Sequence, residues 1–171
     1  HNFPHQLNDE TMLMLMKGCP NMKVFEYDSF GEQYKVTNYS MQQIDKLWPN
    51  LTRLTLKHFT QITSKTMYSI ANLEKLSYLF LSNADIDDDG IIRVLVSCKQ
   101  LSYFSFHLNY PYQFRFGFPL TNEILTRCIE VAQERPLNNL TVEVVGARLI
   151  DPRLLCVPDH LKLIIKNRKV P

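Results

Sequence analysis

Five segments repeat one apolar spacing, and that repeat limits the fold more than any other feature of the chain. Each has an apolar residue followed by two more at +3 and +5. They are Met22-Lys-Val-Phe25-Glu-Tyr27, Leu51-Thr-Arg-Leu54-Thr-Leu56, Leu76-Ser-Tyr-Leu79-Phe-Leu81, Leu101-Ser-Tyr-Phe104-Ser-Phe106 and Leu137-Asn-Asn-Leu140-Thr-Val142. Their first positions lie 29, 25, 25 and 36 residues apart. A fixed period of this size is the mark of units that stack in line. Within each segment the last two apolar residues are two apart, which is the spacing of a strand buried on one face.

Helical spacing fills the intervals. Met41, Ile44, Leu47 and Trp48 predict one helix, Thr66-Met67 to Ile70-Ala71 a shorter one, and Ile91 to Val96 an apolar helical face. Ile124, Leu125, Ile129, Val131 and Ala132 predict another. Asn8-Asp9-Glu10 should cap a first helix carrying Met12, Leu13, Leu15 and Met16. No such unit can bury its own apolar face, so stacking must make the core continuous. The expectation is one domain over 1–171, with about five repeats. His160 to Ile165 reads as a last strand that caps the C-terminal end.

The turns also share a register. Gly18-Cys19-Pro20-Asn21-Met22, Trp48-Pro49-Asn50-Leu51 and Ser97-Cys98-Lys99-Gln100-Leu101 lead into strands. Gln61-Ile62-Thr63-Ser64 and Asp85-Ile86-Asp87-Asp88-Asp89-Gly90 lead into helices. With these signals, residues 8–145 resemble the cysteine-containing leucine-rich repeats of F-box substrate receptors. The resemblance implies an α/β solenoid, with parallel strands on the concave face and helices on the convex face. It also implies a protein-recognition role in a ubiquitin ligase. The pattern departs from the family in places. Only Cys19 and Cys98 hold the cysteine position, Pro49 stands at the Pro20 position, and Ala71-Asn72 replaces the signal in the third repeat. No F-box lies in the chain, so Skp1 and a cullin would be reached only through a segment outside it.

Composition narrows the function. A net charge of +2 is too small to point to nucleic acid or an acidic membrane. Lys162, Lys166, Arg168 and Lys169 crowd the C-terminus and read as a solvated tail. Cys19, Cys98, Cys128 and Cys156 form no CxxC pair, and we read them as free and mostly buried, as in a reducing compartment. That favours a cytoplasmic or nuclear protein. No apolar run approaches the roughly 18 residues of a membrane helix. The chain starts His1-Asn2-Phe3-Pro4 without a secretory signal, which leads us to expect part of a longer protein. Two alternatives stay open. One is an assembly subunit like the mitochondrial repeat protein coupling factor B. The other is a secreted receptor fragment, with Asn38, Asn50 and Asn139 as glycan acceptors.

No enzyme is expected. The chain has no Gly-rich phosphate loop, no nucleophile elbow and no zinc-protease motif, and no cofactor or metal is implied. Asp85-x-Asp87-x-Asp89-Gly90 opens like a calcium loop, but the twelfth position is Val96 where a glutamate is required. Helix capping by an Asp explains it better. His58 and His107 follow strand ends and could lie on neighbouring edges, yet no ligand set converges with them.

Two features suggest a partner-binding surface. Residues between the apolar positions point away from the core: Val24, Glu26, Arg53, Thr55, Tyr78, Phe80, Tyr103, Ser105, Asn139 and Thr141. Parallel stacking should set Tyr78 beside Tyr103, with Phe80 and Arg53 alongside. Aromatics with Arg are the composition of an interface hot spot. The second feature is an insertion at 108–119 after His107. Tyr110, Tyr112, Phe114, Phe116 and Phe118 recur there at every second position, with Arg115 on the other face. It either packs down as a lid or forms a binding flap. The expected contact set is Arg53, Thr55, Tyr78, Phe80, Tyr103, Ser105, His107, Tyr110, Tyr112 and Arg115.

Overall fold

The alternation does produce strands. The computed structural model describes residues 7–29, 36–82, 84–107, 121–135, 139–145 and 156–166. Its strands are β1 (Val24–Asp28), β2 (Arg53–Lys57), β3 (Tyr78–Ser82), β4 (Tyr103–His107), β5 (Leu140–Val145) and β6 (Leu161–Lys166). Phe25, Leu54, Leu56, Leu79, Leu81, Phe104, Phe106, Val142 and Val144 project to one side, none more than 8% exposed. A fully buried side chain of this size contributes about 1.5–3 kcal/mol. Each strand pairs in parallel with the next in chain order, giving one six-stranded sheet. A parallel neighbour requires a crossover, and among the described residues helices lie in the crossovers between successive strands from β1 to β5. Among the described residues the other, open face carries the exposed side chains of Val24, Glu26 and Arg53.

The helices are α1 (Asp9–Gly18), α2 (Asn38–Met41), α3 (Ile44–Leu47), α4 (Ser64–Ile70), α5 (Asp88–Ser97) and α6 (Glu123–Glu134). Polar residues placed before them act as caps. Asn8 accepts from Thr11 N at 2.9 Å while Thr11 Oγ1 accepts from Asn8 N, a reciprocal pair. Thr37, Thr63 and Asp87 cap α2, α4 and α5. Such a cap stabilises by about 1 kcal/mol. α4 packs on α5 and α5 on α6, so the apolar faces close against their neighbours and the sheet.

Polar side chains tie each unit to the next. At the helix starts, Asp9 accepts from Thr37 N at 2.9 Å and Ser40 Oγ at 2.5 Å. Burial alone would raise the Asp9 pKa, but the Ser40 and Thr37 donors outweigh it and hold the group lower. Asn38 accepts from Thr63 N and Thr66 Oγ1, and its Nδ2 donates to Thr63 Oγ1 at 3.0 Å. Ser64 Oγ donates to Asp87 at 2.6 Å, which lowers the Asp87 pKa.

At the helix ends, side chains of the following unit add a contact to carbonyls of the last turn or the cap. Ser69 Oγ donates to Gln42 O, Arg135 Nη1 to Cys98 O, and His160 Nε2 lies 2.7 Å from Ala132 O. Cys98 Sγ donates to Ile70 O at 3.5 Å. At the strand entries, the hydroxyls of Thr52, Ser77 and Ser102 donate in turn to Lys23 O, Thr52 O and Ser77 O.

Several expectations need correction. The single helix over Met41–Trp48 is two short ones, because Gln43 N bonds back only three residues to Ser40 O. Val96, placed on an apolar helix face, is 37% exposed. The four thiols are free, but only Cys98 and Cys128 are buried; Cys19 and Cys156 are exposed. Cys98 is held by the α4 carbonyls, and among the described residues Cys19 has no preceding helix to cap. Burial pushes the Cys98 and Cys128 thiols up to about 12.

The fifth strand is shifted by two residues. Val142 and Val144 pair with Phe104 and Phe106. Asn139 therefore falls level with Leu101, where Leu137 was expected. A two-residue slip keeps every side chain on its own face, so alternation could not decide between the registers. The backbone does, with Thr141 N donating to Ser102 O at 2.8 Å. No helix among the described residues is long and apolar enough to cross a membrane.

Candidate functional site

The register turns the open face into three rows of side chains. Val24, Arg53, Tyr78, Tyr103, Thr141 and Lys162 form the first. Glu26, Thr55, Phe80, Ser105, Glu143 and Ile164 form the second. In the third, Asp28 pairs with Lys57, Ser82 with His107, and Val145 with Lys166.

Strand spacing of about 4.8 Å suits ring stacking along a row. The Tyr78 and Tyr103 rings lie 4.6 Å apart and within 7° of parallel. Arg53 Cζ sits 3.7 Å over the Tyr78 ring, while its Nε donates to Glu26 at 2.5 Å. In the next rows Phe80 meets the His107 ring edge-on at 4.7 Å, and Lys57 Nζ lies 6.0 Å from Phe80. Arg53, Tyr78 and Tyr103 thus form one stack, and Phe80 and His107 an edge-on pair in the neighbouring rows of the same face.

Its polar anchor is Glu143, which was not among the expected contacts. Tyr103 Oη and Ser105 Oγ donate to Glu143 Oε2 at 2.8 and 3.1 Å, and Lys166 Nζ to Oε1 at 2.7 Å. Burial by itself would raise the Glu143 pKa; the Lys166, Tyr103 and Ser105 donors overcome it and bring the carboxyl to about 2. Burial, and then the bond to Glu143, raise the Tyr103 phenol. His107 Nε2 is 3.8 Å from Glu143 Oε2, outside hydrogen-bond reach. Burial lowers the imidazole below its usual range, with the carboxylate opposing.

The shift of β5 explains the omission. Glu143, not Thr141, takes the row of Ser105, and Thr141, not Asn139, takes the row of Tyr103. A charged residue between two valines, Val142-Glu143-Val144, was the available signal.

Thr55 and Ser105 sit in the patch but are only 7% and 0% exposed. They are short residues among Arg, Phe and Tyr, so they floor the patch and offer a partner little surface. Tyr110, Tyr112 and Arg115 lie outside the described residues.

The histidines do not come together. β3 separates His58, after β2, from His107 on β4. His58 has φ 63° and places Nδ1 2.8 Å from Asp28 Oδ1. Among the described residues no three His, Cys, Asp or Glu side chains converge as a metal set. The Asp85–Gly90 carboxylates diverge: Asp87 caps α5, Asp88 accepts from Thr121 N, and Asp89 accepts from Tyr68 Oη. Gly90 allows the close approach to α4, since a Cβ there would meet Ile86 at 3.0 Å and Ser64 at 3.1 Å.

No model of a known protein family matches the chain, and no curated protein sequence matches it either.

Proposed function

We propose that the chain is a leucine-rich-repeat solenoid whose open, concave sheet face docks another protein, and that it serves as the recognition part of an F-box-type ubiquitin-ligase receptor. One observation carries the docking reading: Arg53, Tyr78 and Tyr103 are stacked on the open face, with the edge-on pair Phe80 and His107 in the rows beside them. Aromatic and Arg side chains fixed in advance lose little rotamer freedom on binding, which is what an interface hot spot requires. The stacking of similar strand–helix units in chain order supports the solenoid. The ubiquitin-ligase role rests on the resemblance of the repeats.

The test is a pull-down from native extract with the complete gene product, beside a variant carrying Tyr78→Ala, Phe80→Ala and Tyr103→Ala. The proposal expects Skp1 and a cullin with both proteins, and a further protein with the wild type alone. Absence of the adaptors removes the ligase role. A variant that loses nothing removes the docking face.

A further inference from the structure

The first row of the open face contains one geometry twice, complete in one place and lacking its middle ring in the other. Arg53 on β2 and Tyr103 on β4 stand two strands apart, and Tyr78 on β3 fills the gap between them. It lies 3.7 Å beneath the guanidinium and 4.6 Å from the Tyr103 ring. One strand pair further on, Tyr103 on β4 and Lys162 on β6 again stand two strands apart. The residue between them is Thr141. Two strand spacings leave roughly 10 Å, room for one ring in contact with a ring on one side and a cation on the other. Thr141 is too short to cover the Tyr103 ring. Among the described residues, that ring stacks only on Tyr78.

The charges suit a ring in that slot. Lys162 is exposed at its outer side, and Tyr103 donates its phenolic hydrogen to Glu143, which holds the ring in place. An aromatic face carries partial negative charge and attracts the ammonium, as Tyr78 attracts Arg53. A partner cation would instead be repelled by Lys162 and by Lys166, which lies beside Glu143.

We propose that the partner docked on the open face inserts one aromatic side chain over Thr141, between Tyr103 and Lys162, continuing the Arg53–Tyr78–Tyr103 stack. This rests on the docking reading above and names the chemistry of its anchor.

The experiment pans a phage-displayed library of random peptides on the immobilised wild-type chain. It then measures the retained peptides against variants. Expected are peptides whose Tyr, Trp or Phe cannot be replaced by Ala without a loss of about tenfold or more. Thr141→Tyr supplies the ring from the chain itself, so it should cause a similar loss while raising the melting temperature. Lys162→Ala should weaken the peptides a few-fold.

Peptides that require Tyr78 and Phe80 but bind Thr141→Tyr unchanged would overturn the slot and leave the docking face standing. Retention of no peptide, or of peptides indifferent to Tyr78 and Phe80, would overturn both. A single-stranded thymidine oligonucleotide that displaces the peptides and is itself blocked by Thr141→Tyr would assign the slot to a base and overturn the peptide anchor.

Discussion

Glu26 and Glu143 occupy the same row of the open face, yet their surroundings differ. Glu26 lies on the edge strand β1, its side chain 51% exposed, and meets Arg53 at 2.5 Å. Glu143 lies on β5 with strands on both sides; its side chain is 11% exposed and takes donors from β4 and β6. An edge carboxylate keeps most of its water, so its ion pair adds roughly 0.2–1 kcal/mol. An interior carboxylate gives up its water and must be repaid by fixed donors. Position in the sheet, and not residue type, makes one a surface ion pair and the other the anchor of the patch.

The largest test of that contrast is Glu143→Ala. It leaves the Tyr103, Ser105 and Lys166 donors without their acceptor and should cost about 2–3 kcal/mol in urea unfolding. The same loss at Glu26→Ala would break the comparison.

Acid supplies a second test of similar size. The Glu143 carboxyl has an ordinary value of 4.5 and is held at about 2 in the folded chain. Between those values the unfolded chain binds more protons, so stability rises with pH there. Its contribution is complete above the ordinary value and is lost as pH falls toward 2. Unfolding free energies measured down that range should fall more steeply for the wild type than for Glu143→Gln. Asp9 and Asp87, also lowered, act in both proteins and cancel. Parallel curves would contradict the assignment.

Tyr103→Phe keeps the stack on Tyr78 and removes one donor. It should cost about 1 kcal/mol and raise the Glu143 titration, read by carboxyl NMR. An unmoved titration would mean that Lys166 and Ser105 hold the carboxylate alone. The smallest effect is expected for Glu26→Ala, at most about 0.5–1 kcal/mol and reduced further by salt. Salt-insensitive loss there would show that the edge pair is better shielded than its exposure implies.

Much of the fold was legible because burial is periodic. The residues at +3 and +5 of the first four segments face the helices in β1 to β4, and the parallel register puts Tyr78 beside Tyr103 as expected. Caps were legible too, since Asn8 and Asp87 precede their helices with a free side-chain oxygen. The register of β5 was not legible. Leu140, Val142 and Val144 are all apolar and two apart, so registers differing by two residues bury the same face. The split of α2 from α3 was also hidden, because Met41, Ile44 and Trp48 are fully buried in either case.

The amino-acid order thus determined which residues go inside and which look outward, because a side chain's direction along a strand depends only on its near neighbours. It also supplied the Arg53, Tyr78, Phe80 and Tyr103 patch, since those four come from consecutive units of constant length. Glu143 became its anchor only through the tertiary structure. The chain between β4 and β5 breaks the regular spacing, and local pattern cannot count across it. What lies beside Tyr103 is decided by strand pairing over 38 residues, from Tyr103 to Thr141.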